Sequence, residues 1–252
     1  MENSAVTIPR GQISILAGAS GAGKTTLLLQ SLAAWARGEV FLPELTWDAS
    51  RVLYVASDRT VEEAKIIAER VGLPSDQDKI TFYGLVDDPK LPSGLLNSPR
   101  ALLQYITTDK TYDLMILDPI GIFMDGSINN YKNVAMSLYF LNQFAKQHNI
   151  TILAMHHTSK ARTDFTFQRP QDRISGSGAL LGYSATQMVL ISPEELKGDF
   201  FEFHVISHTR PAMMVFMIRG QDGKFHVEMS GVPEGEIPAS VHPAWWKQRG
   251  RR

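Results

Sequence analysis

The segment Gly18–Thr25, Gly-Ala-Ser-Gly-Ala-Gly-Lys-Thr, restricts the fold of this chain more than any other feature. It matches the P-loop pattern Gly-x-x-x-x-Gly-Lys-[Ser/Thr] at every fixed position. The apolar run Ile13–Ala17 before it predicts a buried strand, and the run Thr26–Trp35 after it predicts a helix. Because the complete pattern lies between a strand and a helix, it predicts a phosphate cradle rather than an ordinary glycine-rich turn.

The residue types in this loop fit the binding of ATP together with Mg²⁺. Glycines let successive backbone N–H groups face a polyphosphate, and the N-terminus of the following helix adds the positive end of its dipole. We expect Lys24 to reach the β- and γ-phosphates and the Thr25 hydroxyl to ligate the metal. The predicted nucleotide-binding residues are Gly18, Ala19, Ser20, Gly21, Ala22, Gly23, Lys24, Thr25 and Thr26.

Composition sets the size and class of the fold. The chain has 252 residues, 44% of them hydrophobic and 20% charged, which indicates one large domain with a sizeable core. The formal net charge of -1 gives no overall attraction to nucleic acid or membrane, so any nucleic-acid contact must be local. The sequence has no cysteine, which excludes disulfides and thiolate metal sites. No apolar run approaches the ~18 residues of a spanning helix, so we expect a cytoplasmic protein without a membrane partner.

Two later strands are predicted to lead into carboxylates. The run Val52–Ala56 predicts a buried strand followed by Asp58, and Thr60 with Glu63 predicts a capping box that starts a helix. The run Leu114–Asp118 has the Walker B pattern of four apolar residues closed by an acid. A buried strand that ends in aspartate is common by itself. About a hundred residues after a P-loop, however, this pattern predicts a carboxylate that holds Mg²⁺.

The rest of the chain alternates strands with helices and then becomes rich in β character. Strands are predicted at Ile80–Tyr83 and Thr151–Met155, with helices at Pro99–Thr107 and Asn133–His148. The late β runs are Gln187–Ile191, Phe200–Ser207, Met214–Arg219 and Lys224–Glu228. The predicted fold class is therefore α/β, a largely parallel twisted sheet flanked by helices with an antiparallel C-terminal extension. We expect one domain over residues 1–231 and a flexible basic tail over residues 232–252.

Several segments together point to one superfamily. They are Gly18–Thr25, the strand that leads to Asp58, Leu114–Asp118, the run His156-His157-Thr158-Ser159-Lys160 and the turn Ser175–Ala179. Over about residues 8–230 the chain resembles the RecA-like ATPases. The double histidine followed by Thr-Ser-Lys is most similar to the compact plasmid and phage replicative helicases of the RepA type. The resemblance implies the RecA-like fold and an ATP-hydrolysing helicase.

This resemblance implies roles for the polar residues at the strand ends. The histidine strand is expected between the P-loop strand and the Walker B strand, with the Asp58 strand beyond Walker B. Asp118 would hold Mg²⁺ through water, and Asp58, where the family more usually has glutamate, would orient or deprotonate the attacking water. His156 or His157 would sense the γ-phosphate. The alternatives are histidines that bond backbone groups at a strand end and an Asp58 that only initiates a helix.

The resemblance also implies a homo-oligomer, a hexameric ring whose ATP sites are completed by a neighbouring subunit. Arg210 matches the position of an arginine finger, and an exposed arginine near a turn is the alternative. Single-stranded DNA would contact the loops Asp125–Lys132 and Lys160–Arg173, with Phe165 and Phe167 available for base stacking. The predicted phosphate contacts are Lys160, Arg162, Arg169 and Arg173. A solvated charged loop is the alternative interpretation.

Three functional hypotheses remain open at this stage. The first is an ATP-driven helicase or translocase on single-stranded DNA, favoured by the basic loop and the histidine pair. The second is a regulatory, recombination or replication accessory ATPase that docks a protein partner through the tail Val241–Arg252 without unwinding, favoured by the near-neutral charge and by Asp58. The third is a small-molecule kinase, which needs an arginine-bearing lid; the β-rich late half of the chain argues against it.

Overall fold

The computed structural model describes residues 7–233, apart from residues 43, 44, 93, 108–110, 159–168, 177, 197, 198 and 209. The strands are β1 (Thr7–Ile8), β2 (Ile13–Gly18), β3 (Thr46–Trp47), β4 (Val52–Ala56), β5 (Ile80–Gly84), β6 (Leu114–Asp118), β7 (Thr151–His157), β8 (Thr186–Ile191), β9 (Phe201–Ser207), β10 (Arg210–Arg219) and β11 (Phe225–Pro233). The helices are α1 (Lys24–Ala36), α2 (Val61–Arg70), α3 (Pro99–Ile106), α4 (Tyr131–His148), α5 (Ala179–Tyr183) and α6 (Pro193–Leu196). Across these residues, no helix combines the length and the apolar character needed to cross a bilayer.

The main sheet has nine strands in the order β11-β10-β9-β8-β2-β7-β6-β4-β5. The strands from β8 to β5 in that order are parallel, and β9, β10 and β11 are antiparallel. The predicted fold class is therefore confirmed. The expected neighbours are confirmed as well, because β7 with the histidines lies between β2 and β6, and β4 lies beyond β6. The short parallel pair of β1 and β3 was not predicted from the sequence.

Both faces of the sheet are covered, because the central strands carry apolar side chains on both sides. On β2, Leu16 packs on the face covered by α1 and α2, whereas Ile15 packs on the face covered by α3, α4 and α5. Phe203 and Val215 of the late strands extend the core on the α1 side. Burying one such side chain contributes about 1.5–3 kcal/mol, so a slip in register would be costly. The core thereby fixes the register in which the strands pair.

Polar caps determine where two of the helices begin. The Thr60 hydroxyl accepts the Glu63 backbone N–H, and the Glu63 carboxylate accepts the Thr60 backbone N–H, so the predicted capping box of α2 is confirmed. The Asn130 side chain accepts the backbone N–H of Asn133 at 3.2 Å and starts α4 two residues earlier than predicted. These caps satisfy backbone donors that the first helical turn leaves unpaired.

Several elements are longer than the sequence predicts, and three of these differences affect the P-loop, the histidines or the domain boundary. Helix α1 begins at Lys24 rather than Thr26, so the P-loop lysine is its first residue. Strand β7 continues to His157, because it pairs with β2 as far as Gly18. Strand β11 continues to Pro233, two residues beyond the expected domain boundary, because it pairs with β10 along that length. For the two strands, pairing with a neighbouring strand extends the regular structure.

Candidate functional site

The carboxyl ends of the parallel strands meet at one edge of the sheet and surround a cleft of about 290 Å³. Strand β2 leads into the P-loop, β6 ends at Asp118 and β7 ends at His157. The turn after β4 contributes Asp58 and Arg59. A crevice at this edge is the usual ligand site of an open α/β sheet. The residues that line the cleft are Ser20, Gly21, Gly23, Lys24, Thr25, Thr26, Asp58, Arg59, Ile67, Asp118, Pro119, Met155, His156, His157 and Arg219.

Two glycines of the P-loop hold positions where a Cβ atom would lie too close to neighbouring atoms. Gly23, directly before α1, has a φ of 93°, in the left-handed region that disfavours side chains. A Cβ atom at Gly23 would lie 2.8 Å from the Phe225 ring. A Cβ atom at Gly18 would lie 2.7 Å from the Leu190 carbonyl oxygen. The loop is therefore packed closely against the sheet and the late strands, and Ser20, Gly21 and Gly23 of this loop line the cleft.

Lys24 lies at the start of α1 with its side chain folded back onto the loop. Its Nζ atom donates to the carbonyl oxygens of Gly18 at 2.8 Å and Ala19 at 2.9 Å. Only 8% of the residue is exposed, and this burial lowers the pKa of the ammonium group, an effect that the nearby Asp118 carboxylate opposes. A phosphate in the cleft would offer this ammonium a charged acceptor, which forms stronger hydrogen bonds than a carbonyl.

Several polar side chains of the cleft lie close to one oxygen atom of Asp118, Oδ2. The Thr25 hydroxyl donates to Asp118 Oδ2 at 2.9 Å, and the hydroxyl of the fully buried Tyr54 donates to the same atom. Arg59 approaches this oxygen as well, with its NH2 atom 3.9 Å away. Within the described part of the chain, the hydrogen bonds to this carboxylate all fall on Oδ2. The arrangement fixes the orientation of the carboxyl group.

The residues at this point fit a magnesium ion that arrives with a nucleotide. A threonine hydroxyl and a carboxylate 2.9 Å apart are hard oxygen donors of the kind that Mg²⁺ prefers. In residues 7–233, as far as they are described, no group of three or more His, Cys, Asp or Glu side chains could hold a metal alone. Magnesium would therefore need phosphate oxygens and water to complete its ligands, as is usual for nucleotide-bound Mg²⁺.

The turn after β4 places a charged pair beside Asp118. Arg59 Nε donates to Asp58 Oδ1 at 3.1 Å, and the Asp58 side chain is half exposed to the cleft. Neither Arg59 nor Tyr54 was predicted as a site residue. Tyr54 could have been found, because a tyrosine inside a continuous apolar strand needs a partner for its hydroxyl. Arg59 could have been found as a cation adjacent to the predicted acid.

The two histidines face different surroundings, although both line the cleft. His156 is 7% exposed, and its Nε2 atom donates to the Ser175 carbonyl oxygen at 2.8 Å. Burial lowers the pKa of both rings, and for His157 the nearby Lys24 ammonium adds to the effect. His157 is the more exposed of the two. The histidine that bonds a backbone carbonyl and the histidine open to the cleft are therefore separate residues.

The hairpin of β10 and β11 closes the cleft from a side that the sequence analysis did not anticipate. Arg219 lines the cleft, and its guanidinium lies 5.9 Å from the centre of the Phe225 ring. Gln30 of α1 holds the hairpin by accepting the Phe225 backbone N–H at 2.8 Å and donating to the Phe225 carbonyl at 2.7 Å. About 200 residues separate these partners along the chain, so no local sequence pattern could have revealed the contact.

Comparison with known proteins agrees with this geometry. Residues 5–163 match the AAA domain family AAA_25. The chain belongs to this AAA domain family. Its structure is similar to the crystal structure of a KaiC-like protein from the hyperthermophilic archaeon Pyrococcus horikoshii OT3, with a TM-score of 0.56 and 13% sequence identity over 88% of this chain and 91% of that one. No curated protein matches the sequence. At this identity the likeness shows the fold, and together the findings support a RecA-like P-loop ATPase.

Part of the predicted DNA surface of this AAA domain chain lies outside the described residues. Lys160 and Arg162 belong to that part, as do Phe165 and Phe167. The tail Val241–Arg252, predicted to dock a protein partner, lies outside the described residues as well. Arg169 is 71% exposed and pairs with Asp172 at 3.1 Å. Arg173 is only 11% exposed and pairs with Glu195 at 3.5 Å. A phosphate contact by Arg173 would therefore require this ion pair to open.

Arg210 lies far from the cleft of its own AAA domain. It is the first residue of β10 and pairs with Ser207, the last residue of β9. Since β9 is antiparallel to β8, the turn between β9 and β10 lies at the edge of the sheet opposite the P-loop. Arg210 is therefore not part of the chain's own nucleotide site, and Arg219 is the arginine of β10 that lies at that site.

Proposed function

We propose that this AAA domain chain is a Mg²⁺-dependent ATPase that works on single-stranded DNA as an oligomeric translocase or helicase, in the manner of the RepA-type enzymes that it resembles. The family match and the fold support ATP binding and hydrolysis. The observation that carries the DNA part of the proposal is the direct link between the cleft and the basic loop.

This link is formed by the last residues of β7 and the returning chain. His156 Nε2 donates to the Ser175 carbonyl oxygen, and the Ser175 backbone N–H donates to the His157 carbonyl at 3.1 Å. Thr158 pairs with Ile174 in an isolated antiparallel bridge. Thr158 and Ile174, which lie on either side of the predicted basic loop, are therefore held together beside the histidines. A structural change at the γ-phosphate could be transmitted to the loop Lys160–Arg173 through these few hydrogen bonds.

In the proposed reaction, five residues of the cleft have separate roles. Lys24 exchanges its carbonyl acceptors for the β- and γ-phosphates. Thr25 and Asp118 would hold Mg²⁺, and the metal, when bound, would neutralise charge on the phosphates. Asp58 orients a water molecule and takes its proton as the water oxygen attacks the γ-phosphorus. The bond between the γ-phosphorus and the bridging oxygen breaks, and ADP with inorganic phosphate results. His157, the exposed histidine, is the better placed to sense the γ-phosphate.

The accessory ATPase remains the second candidate, and particular observations favour it. Arg173 is held by Glu195, and the net charge of the chain is only -1. In this alternative the cleft hydrolyses ATP, while the tail Val241–Arg252 docks a protein partner and DNA has no effect on the rate. The two candidates share the ATP site and differ in what the loop 159–168 contacts.

The experiment that separates them measures ATP hydrolysis with and without single-stranded DNA. The variant Lys160→Ala/Arg162→Ala should keep the basal rate, lose the DNA stimulation and flatten the salt dependence of DNA binding. The control Lys65→Ala/Lys146→Ala removes the same charge from exposed positions on α2 and α4 and should retain stimulation. A wild-type rate that ignores DNA at low salt would rule out the translocase and leave the accessory ATPase.

A further inference from the structure

We propose that Arg59 is a switch between the two carboxylates of the cleft and the terminal phosphate of a nucleoside triphosphate. This inference rests on the proposed function, because it assigns a new residue to the same site. Without a triphosphate, Arg59 holds Asp58 in an ion pair. When the γ-phosphate is present, the Arg59 guanidinium moves from Asp58 to this phosphate, and Asp58 is then free to orient a water molecule.

The position of Arg59 is the first support for this role. It lines the cleft, and its guanidinium lies between two acids, with Nε 3.1 Å from Asp58 Oδ1 and NH2 3.9 Å from Asp118 Oδ2. Its side chain is 24% exposed, so it is neither locked in the core nor free in solvent. The backbone on one side is fixed by β4 and on the other by the capping box of Thr60. Only the side chain needs to move.

The charges of the neighbouring groups favour the movement of the Arg59 guanidinium from the carboxylates to the phosphate. Asp118 and Thr25 are the residues that fit Mg²⁺, so a bound metal and the Arg59 guanidinium would compete for the same oxygen, Asp118 Oδ2. Two cations that both lie near one oxygen atom repel each other. The γ-phosphate would lie in the same cleft and offers oxygens that a planar guanidinium binds with two parallel hydrogen bonds. Arg59 would therefore leave the carboxylates when Mg²⁺ and the triphosphate arrive together.

Asp58 changes its state when Arg59 moves, because Arg59 is its charged partner in the turn after β4. A carboxylate oxygen that accepts a hydrogen bond from a guanidinium, as Asp58 Oδ1 does from Arg59, has one lone pair fewer with which to orient a water molecule. ADP lacks the γ-phosphate, so Arg59 would stay with Asp58 in the ADP state. The switch therefore predicts that Arg59 contributes to the affinity for triphosphates and not to the affinity for diphosphates.

The test is equilibrium binding by calorimetry with Mg²⁺, using ADP and the non-hydrolysable ATP analogue that carries an imido group between its β- and γ-phosphates. Arg59→Ala should lose about tenfold in affinity for the analogue and less than about twofold for ADP. Arg59→Lys keeps the charge without the planar fork and should lose about threefold for the analogue. Arg70→Ala, on the exposed side of α2, is the control and should change neither affinity.

A second variant tests the ion pair from its other side. In Asp58→Asn the Arg59 guanidinium is no longer held, so the affinity for the analogue should rise about threefold while the ADP affinity stays constant. An equal loss for both nucleotides in Arg59→Ala, or no loss, overturns the switch, as does an unchanged analogue affinity in Asp58→Asn. A wild-type protein that binds neither nucleotide overturns the switch and the proposed ATPase together. If Arg59→Ala loses affinity for the analogue alone, while DNA does not stimulate hydrolysis by the wild type, the switch is supported and only the translocase is rejected.

Discussion

At the scale of single residues, the cleft is organised around Asp118 Oδ2. Thr25, Tyr54 and Arg59 approach this atom from three different elements, and Lys24 lies close enough for the carboxylate to oppose the lowering of its pKa by burial. Charge-assisted hydrogen bonds of this kind are shorter and stronger than neutral ones. The orientation of one carboxyl group therefore depends on a helix, a strand and a turn at once.

Replacing Asp118 by asparagine should remove the magnesium dependence of nucleotide binding, because a neutral amide cannot offset the metal's charge. The matched variant Tyr54→Phe keeps the carboxylate and removes one donor to it. We expect Tyr54→Phe to retain Mg²⁺-dependent binding and to lower the free energy of unfolding by about 1.5–3 kcal/mol. Titration of ATP at several Mg²⁺ concentrations, with urea denaturation of both variants, measures the two effects. Unchanged metal dependence in Asp118→Asn would remove this residue from the site.

The buried imidazole of His156 makes stability depend on pH. Burial lowers the pKa of this ring in the folded state, so the unfolded chain binds the proton more readily. Stability from this group is complete above about pH 6.5, the unfolded pKa, and falls as the pH decreases from there toward the folded pKa. Within that window the loss reaches at most about 1.4 kcal/mol per pH unit.

His156→Gln, which can still donate to the Ser175 carbonyl, should therefore show a flatter dependence of the unfolding free energy on pH between 5 and 7 than the wild type, by up to ~1.4 kcal/mol per pH unit. Urea denaturation at several pH values measures this slope. His226→Gln, on the exposed hairpin, controls for the loss of a histidine as such. Parallel curves for the wild type and His156→Gln would show that the buried ring does not contribute to the pH dependence.

At the scale of elements, the cleft depends on the hairpin of β10 and β11 as much as on the P-loop. The hairpin reaches α1 through Gln30 and reaches the P-loop through the contact of Phe225 with Gly23. A similar bond is made by Gln77, which accepts the Ile80 backbone N–H at 2.7 Å and donates to the Ile80 carbonyl at 3.1 Å. Gln77 does not line the cleft, so it offers a matched comparison.

Gln30→Leu and Gln77→Leu should both destabilise the fold by about 1–3 kcal/mol, because each leaves a backbone donor and acceptor without their partner. Only Gln30→Leu should also weaken nucleotide binding, since only Gln30 fixes the hairpin that carries Arg219. Chemical denaturation gives the first effect and calorimetric titration with ATP and Mg²⁺ gives the second. Equal nucleotide affinities in the two variants would mean that the hairpin does not form part of the binding site.

At the scale of the whole molecule, the antiparallel extension separates two arginines of one strand. Arg219 ends β10 at the cleft, and Arg210 begins β10 at the opposite edge of the sheet. An arginine finger at Arg210 therefore requires a second copy of the chain that brings this edge to its own nucleotide. The proposed oligomer would then share each ATP site between two subunits.

Mixing two inactive variants tests this shared site. Lys24→Ala damages the phosphate cradle and should lower hydrolysis by orders of magnitude, and Arg210→Ala should be inactive alone if the finger acts in trans. Mixed oligomers contain some sites in which neither residue is missing, so part of the activity should return. ATP hydrolysis of the mixture, compared with each variant alone and with the native mass of the assembly, measures the effect. Full activity of Arg210→Ala would exclude it as the finger.

The sequence by itself determined the features that depend on neighbouring residues. The P-loop pattern at Gly18–Thr25, the apolar strands that lead to Asp58 and Asp118, and the capping box at Thr60 are local, and each is present in the structure as predicted. Hydrogen bonding and burial within a few residues are sufficient to specify them. The resemblance to RecA-like ATPases added the strand order, which the sheet confirms.

Only the tertiary structure decided which distant side chains share the cleft. Tyr54, Arg59 and the hairpin with Arg219 enter the site because strand pairing places their elements beside Asp118 and the P-loop. The same folding encloses Arg173 in an ion pair and puts Arg210 at the far edge of the sheet. These contacts form between residues far apart in the chain, so their free energies depend on the packing of the whole core and leave no local pattern in the sequence.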